Sequence, residues 1–220
     1  ADAIESIGFE CTRCGACCTA DEPIASDGTG GLADGDDAGG DEIEPHTATL
    51  FPDEARRLRE AASASDASEE PYDWRDVARP MPYGLDGTDG ELEGETFEWA
   101  LGTDGCGDCT FYTESEDGTG ACTVHEDRPL VCRTYPFSLA LAGTAEPMGE
   151  AVDGEGLVRA HECEGLGRDI SREDAEELAA ALKRRTIRDV EEAISVRDNY
   201  EPTEVDGVVV HDSEGQKRPD

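Results

Sequence analysis

The chain has 220 residues, of which 54 are acidic and 18 basic, for a formal charge of -36; only 36% are hydrophobic and 5% aromatic. That charge argues against nucleic acid as a partner, because phosphate contacts need a basic face, and it opposes compaction unless salt screens it. Sixteen arginines against two lysines, Lys183 and Lys217, complete a composition suited to a high-salt cytoplasm, where surface carboxylates hold water and cations.

Residues 1–18 form a short lead into a first cysteine cluster. Thr19 to Glu44 follows with nine acids, six glycines and no basic residue, and is expected to be a flexible acidic insertion. Its Asp34-x-Asp36 start fails as a calcium loop, since Ala38 and Pro45 fall where ligands five and twelve belong. Thr47 to Phe51 reads as extended. Pro52 suits a first helical position, with Asp53 and Glu54 at the positive end of the helix dipole, so a helix is predicted over 52–64 with Ala55, Leu58 and Ala62 as its apolar stripe.

Residues 66–95 are rich in Pro, Gly and acid and read mostly as loop, with Trp74 and Val77 packing onto the core. Phe97 to Leu101 alternates like a strand. Thr110–Thr113 and Ala121–Val124 flank Asp117-Gly118, a hairpin signal. Near the end, Ser171 is an N-cap with Asp174 three residues on. Ala175, Leu178, Leu182, Ile187, Val190 and Ile194 are predicted to share one face of a helix over 172–197. The basic cluster Lys183-Arg184-Arg185 with Arg188 is followed by Asp189, Glu191 and Glu192, and reads as a solvated face. Val208-Val209-Val210 marks a marginal strand. One domain is expected over 1–200, followed by an acidic polar tail over 201–220.

No stretch approaches the ~20 apolar residues of a membrane span. The opening Ala1-Asp2-Ala3-Ile4-Glu5 lacks the basic and apolar regions of a signal peptide, which predicts a cytoplasmic location with reduced thiols.

Cysteine spacing carries the chemistry. Cys11-x-x-Cys14-x-x-Cys17-Cys18 is followed by Cys106, Cys109, Cys122, Cys132 and Cys163. Thiols bunched so tightly would strain local disulfides, so zinc or an iron–sulfur centre is the economical reading. Adjacent side chains diverge on regular helices and strands. Cys17 and Cys18 are therefore expected to face different metals, unless one is a bridging or reactive thiol. Eight sulfurs divide equally well into two zinc or two cluster sites, and a run of three evenly spaced cysteines tilts the choice toward iron–sulfur. The pair Cys106-Gly107-Asp108-Cys109 is also a redox motif in form, but no thioredoxin-like pattern surrounds it.

The opening run resembles the signature of the YkgJ-like cysteine-cluster family, the zinc- or iron-chelating CxxCxxCC domain. Cys109-Thr110-Phe111-Tyr112, Cys122-Thr123-Val124-His125-Glu126-Asp127-Arg128-Pro129-Leu130-Val131-Cys132-Arg133-Thr134-Tyr135-Pro136-Phe137 and Cys163-Glu164-Gly165-Leu166-Gly167 resemble its later motifs. Leu50 to Leu58 is similar to the family's first helix entry. The resemblance covers roughly residues 8 to 168. It implies metal ligation by Cys11, Cys14, Cys17, Cys18, Cys109, Cys122, Cys132 and Cys163, with Cys106 extra to the set. His125 stands where the family commonly has an aromatic, which implies a packing role rather than ligation. His161 is expected beside the centre or at the surface, and His46 and His211 facing solvent.

Arg128 and Arg133 bracket Cys132 and are expected to offset the net negative charge of a thiolate centre; holding an anionic substrate is the competing role. The fold expected is α+β: a small, irregular cysteine-rich domain centred on metal, with a β-hairpin and a long C-terminal helix. The function expected is metal binding, zinc or iron, with metal ions as partners. A modifying enzyme is the alternative, since some proteins similar to this family are linked to lysine N-methylation; no glycine-rich cofactor loop supports it.

Overall fold

The computed structural model describes residues 1–20, 44–65, 77–88, 91–141, 149–203 and 206–219. The predicted acidic insertion over 19–44 lies almost wholly outside the described residues, as does Trp74. The architecture is α+β, with several small sheets arranged around two apolar clusters.

A short helix, α1 (Asp2–Ile7), opens the chain and buries Ile4. Strand β1 (Thr49–Leu50) leads into α2 (Pro52–Ser65), where Leu58 and Ala62 are buried and Ala55 is half-buried. Glu54, in the same first turn, is also buried. Three strands follow where a loop was predicted: β2 (Ala78–Pro80), β3 (Leu85–Thr88) and β4 (Glu91–Thr96). Gly84 and Gly94, at φ of 87° and 127°, supply the positive φ that lets so glycine-rich a segment turn and pair. Strand β5 (Trp99–Leu101) is buried throughout and sits between β1 and β2, completing an antiparallel sheet.

The predicted hairpin is β6 (Tyr112–Glu114) and β7 (Gly120–Cys122), pairing Tyr112 with Cys122. A 3-10 turn over His125–Asp127 precedes α3 (Leu130–Thr134), which carries Cys132. Strands β8 (Phe137–Leu139), β9 (Glu150–Ala151) and β10 (Val158–Ala160) form a small antiparallel sheet with β10 in the middle.

Helix α4 (Arg172–Asn199) begins as its sequence dictates: Ser171 Oγ accepts the Asp174 N–H at 3.0 Å. Its apolar face departs from expectation. Ala175 and Leu182 are buried and Leu178 is half-buried, whereas Ile187, Val190 and Ile194 are exposed. At ~100° per residue the two trios lie on different faces, and the buried face continues instead through Ala181 and Val196. None of the helices among the described residues is long and apolar enough to cross a membrane.

The segment read as a polar tail forms β11 (Val208–Asp212) and β12 (Gly215–Lys217). Strand β11 pairs in parallel with β4, and Val209 and Val210 are buried. Buried Asp212 accepts the indole N–H of Trp99 at 2.8 Å and pairs with Lys217, which ties this hairpin to the core. His211, expected to face solvent, is instead buried; its Nε2 lies 3.2 Å from Glu95, and its ring stacks on Phe97 and meets the edge of Tyr200.

The larger apolar cluster joins α2, β5 and β11 through Leu58, Trp99, Leu101, Phe111, Val124 and Val210, with Val77 buried as expected. Cys109 belongs to this cluster, and Cys18, Cys122 and Cys132 pack against it. The second cluster joins α1, β8 and α4 through Ile4, Phe137, Ala175 and Leu182.

Candidate metal centre

The N-terminal cysteine run is an extended loop held on both sides. On one side the Glu10 N–H donates to the Gly165 carbonyl at 3.0 Å, and the Gly167 N–H donates to the Gly8 carbonyl at 3.1 Å. On the other, the Gly120 N–H of β7 donates to the Arg13 carbonyl at 2.8 Å, and the Cys109 N–H donates to the Cys18 carbonyl at 2.8 Å. These bonds bring the segments around Cys11–Cys18, Cys109, Cys122 and Cys163 together. Helix α3 brings Cys132 against the same core.

Within the loop, Gly15 turns the chain at φ 83°, and the Cys18 N–H closes back on its carbonyl at 2.6 Å. This turn sets Cys17 and Cys18 differently from a helix or a strand. Their sulfurs lie 3.8 Å apart rather than diverging, because the pair sits in an irregular turn and not in a helix or strand. The turn also needs its glycine for space, since a Cβ at Gly15 would fall 2.2 Å from the Tyr112 hydroxyl. Tyr112, whose side chain also flanks Gly120, is the position that spacing alone did not single out; its place in Cys109-Thr110-Phe111-Tyr112 was the available signal.

All nine cysteines are free thiols, and all but Cys106 act electrostatically on one another. Cys17 is drawn down to about 7, first by the Cys18 thiol donating to it and last by the nearby positive charge of Arg128. Cys18 is pushed up, first by that same shared proton, then by burial and by the charges of Cys17, Cys109 and Cys132. Burial raises Cys109 to about 11, with Cys122 and Cys17 adding repulsion. Cys132 is pushed up by burial and then by Cys109, Cys17 and Cys122, while Arg128 opposes the shift. Cys122 rises with burial and the charge of Cys17, again opposed by Arg128. Cys163 rises with burial and the charges of Cys14, Cys17 and Cys11, while the Gly165 N–H, 3.4 Å from its sulfur, pulls the other way.

Two groups emerge. Cys18, Cys109, Cys122 and Cys132 lie against the core; Cys11, Cys14 and Cys163 lie toward the surface; Cys17 acts on both. A set of sulfurs this dense has the donor chemistry of a soft cation. The thiols stand within electrostatic reach rather than at ligating distance: among the described residues no three Cys, His, Asp or Glu side chains converge tightly enough to hold an ion.

The remaining predicted residues separate. Arg128 lies where its charge reaches Cys17, Cys122 and Cys132, and its Nε donates to the His125 carbonyl at 2.9 Å. Arg133 is on the other side of α3 and lines a cleft with Arg57, Arg184 and Arg188. Cys106 is exposed. The imidazole of His125 is half exposed beside Glu126, 3.1 Å away, so the packing role expected of an aromatic stand-in is not filled. His161 stacks with Tyr135, ring centroids 6.0 Å apart.

No curated protein and no solved structure matches the chain. A family model does: CxxCxxCC, described as "Putative zinc- or iron-chelating domain", aligns with residues 10–164. The match runs from the residue before Cys11 to the residue after Cys163, so it encloses every thiol of the two groups. By its sequence match and its converging cysteine segments, the chain belongs to the CxxCxxCC family of zinc- or iron-chelating domains.

Proposed function

We propose that the protein binds zinc or iron in two neighbouring centres. One takes Cys18, Cys109, Cys122 and Cys132; the other takes Cys11, Cys14, Cys163 and Cys17, the thiol at the junction. The observation that carries this reading is the gathering of cysteines from five separate segments, with Cys18, Cys109, Cys122 and Cys132 at one apolar core, the Cys17 sulfur 3.8 Å from that of Cys18, and the Cys163 segment bonded to the start of the loop. Four thiolates per site match a tetrahedral zinc or a cysteine-held cluster.

Thiols raised by one another's charge ligate only by giving up their protons, and a bound cation is what makes several thiolates tolerable side by side. Side-chain rotation in the turn that holds Cys11, Cys14 and Cys17, all exposed, completes the approach. Arg128 offsets part of the residual negative charge of the core-side centre. The metal, when bound, supplies a cross-link between segments far apart in sequence, and a chain this poor in apolar residues draws folding energy from it. Iron–sulfur chemistry is the finer form of the reading that we favour over zinc.

Purification without oxygen at molar salt, followed by metal analysis and an optical spectrum, tests it. Two zinc ions per chain and no colour, or iron with a brown charge-transfer band, supports the reading and chooses the metal. C132S is expected to lose the core-side centre and C11S the surface-side one. A protein free of both metals that still melts cooperatively overturns it.

A further inference from the structure

Basic residues are scarce in this chain, at 18 among 220, yet four arginines from three elements line a single cleft of about 370 Å³. Arg57 comes from α2, Arg133 from α3, and Arg184 and Arg188 from one face of α4. Two of them are held in place. Arg188 is paired with Asp53 at 2.5 Å and lies 4.4 Å over the Phe51 ring, and Arg57 reaches the Asp127 carbonyl at 3.3 Å. The other two, Arg133 and Arg184, are exposed and take no carboxylate partner among the described residues, in a chain with 54 acids.

Asp53 offsets Arg188, and Glu54, 3.7 Å from Arg57, offsets that arginine, so the open charge of the cleft is that of Arg133 and Arg184. Glu54 is buried, and its two oxygens accept the backbone N–H groups of Leu130 and Phe51. Glu191 alone is exposed at the rim. Leu130 and Ile187 add an apolar wall. Guanidinium groups match the paired oxygens of phosphate and carboxylate, and planar forks from several directions select an anion with more than one charge. The volume suits a small molecule.

We propose that this cleft is a binding site for a small organic dianion carrying phosphoryl or carboxylate groups. It is independent of which metal the cysteines hold.

Calorimetric titration of the full metal-loaded chain at molar potassium chloride tests it, with glycerol 2-phosphate and succinate as probes; both chelate metals too weakly to strip the cysteine centre. Saturable one-to-one binding of either probe is expected, and which one binds assigns phosphoryl or carboxylate chemistry. R133Q and R184Q each weaken it about tenfold, the size of one charge-assisted contact. E191Q tightens it by removing the rim's repulsion. All three side chains are exposed, so thermal midpoints stay at the wild-type value and serve as the folding control. Failure of both probes to bind saturably, or wild-type affinity in the R133Q/R184Q double variant, overturns the proposal.

Discussion

Glu54 joins the first turn of α2 to the start of α3, and so bears on the position of Cys132. It is 2% exposed; one oxygen accepts the Leu130 N–H at 2.9 Å and the other the Phe51 N–H at 3.3 Å. E54A leaves two backbone donors without their acceptor. At about 1.5–3 kcal/mol for a hydrogen bond to a charged group, and less for the longer one, the gross loss is about 3–4 kcal/mol. Burial raises the Glu54 pKa despite those bonds and the nearby Arg57, so ionised Glu54 carries a desolvation cost that E54Q removes.

E54Q, which keeps an acceptor for Leu130, is therefore expected within about 1 kcal/mol of wild type at neutral pH. Because the folded pKa is raised, the contribution of Glu54 is complete below its unfolded value. It declines as pH rises through the folded one, so wild type loses stability relative to E54Q from about pH 4 upward. Guanidinium denaturation followed by circular dichroism measures both variants. Alkylation of Cys132, read by peptide mass spectrometry, should be faster in E54A. Equal stability of E54A and wild type, or of E54A and E54Q, would refute the reasoning.

G15A adds a Cβ 2.2 Å from the Tyr112 hydroxyl at a φ of 83°. It is expected to cost about 2–3 kcal/mol and to lower metal content; Y112L in the same chain should recover the steric part but not the backbone strain, which paired melting curves would separate. Arg188 beside Asp53 holds that carboxyl below its ordinary range. The pair is half exposed, so D53N should cost under about 1 kcal/mol. That difference is present above the unfolded pKa and vanishes as pH falls through the depressed folded value, which acid titration of both proteins would show. Dialysis from molar to about 0.01 M salt extends the Debye length from about 3 to 30 Å. With a formal charge of -36 the chain should expand, and an unchanged radius in small-angle scattering would count against the high-salt reading.

Local signals were legible wherever both partners lie within a few residues. Pro52, the Ser171–Asp174 cap and the Asp117-Gly118 hairpin each act over one turn of chain, and each element forms where its signal stands. The apolar stripe of α4 was legible only as far as Leu182. Beyond it, which face meets the core depends on where α3 and β8 dock, and Ile187, Val190 and Ile194 fall on the face they leave open. Burial of His211 was invisible because the rings around it come from Phe97 and Tyr200, brought near by the parallel pairing of β11 with β4.

By itself, the order of residues determined the family, the α+β class and the supply of thiols, because cysteine spacing and helix caps are read along one strand of chain. Only the tertiary structure decided which thiols face one another, that Arg128 attends them, and that Arg133 instead joins three arginines across α3. Charge acts through space and decays with distance between atoms. Separation along the backbone does not measure that distance.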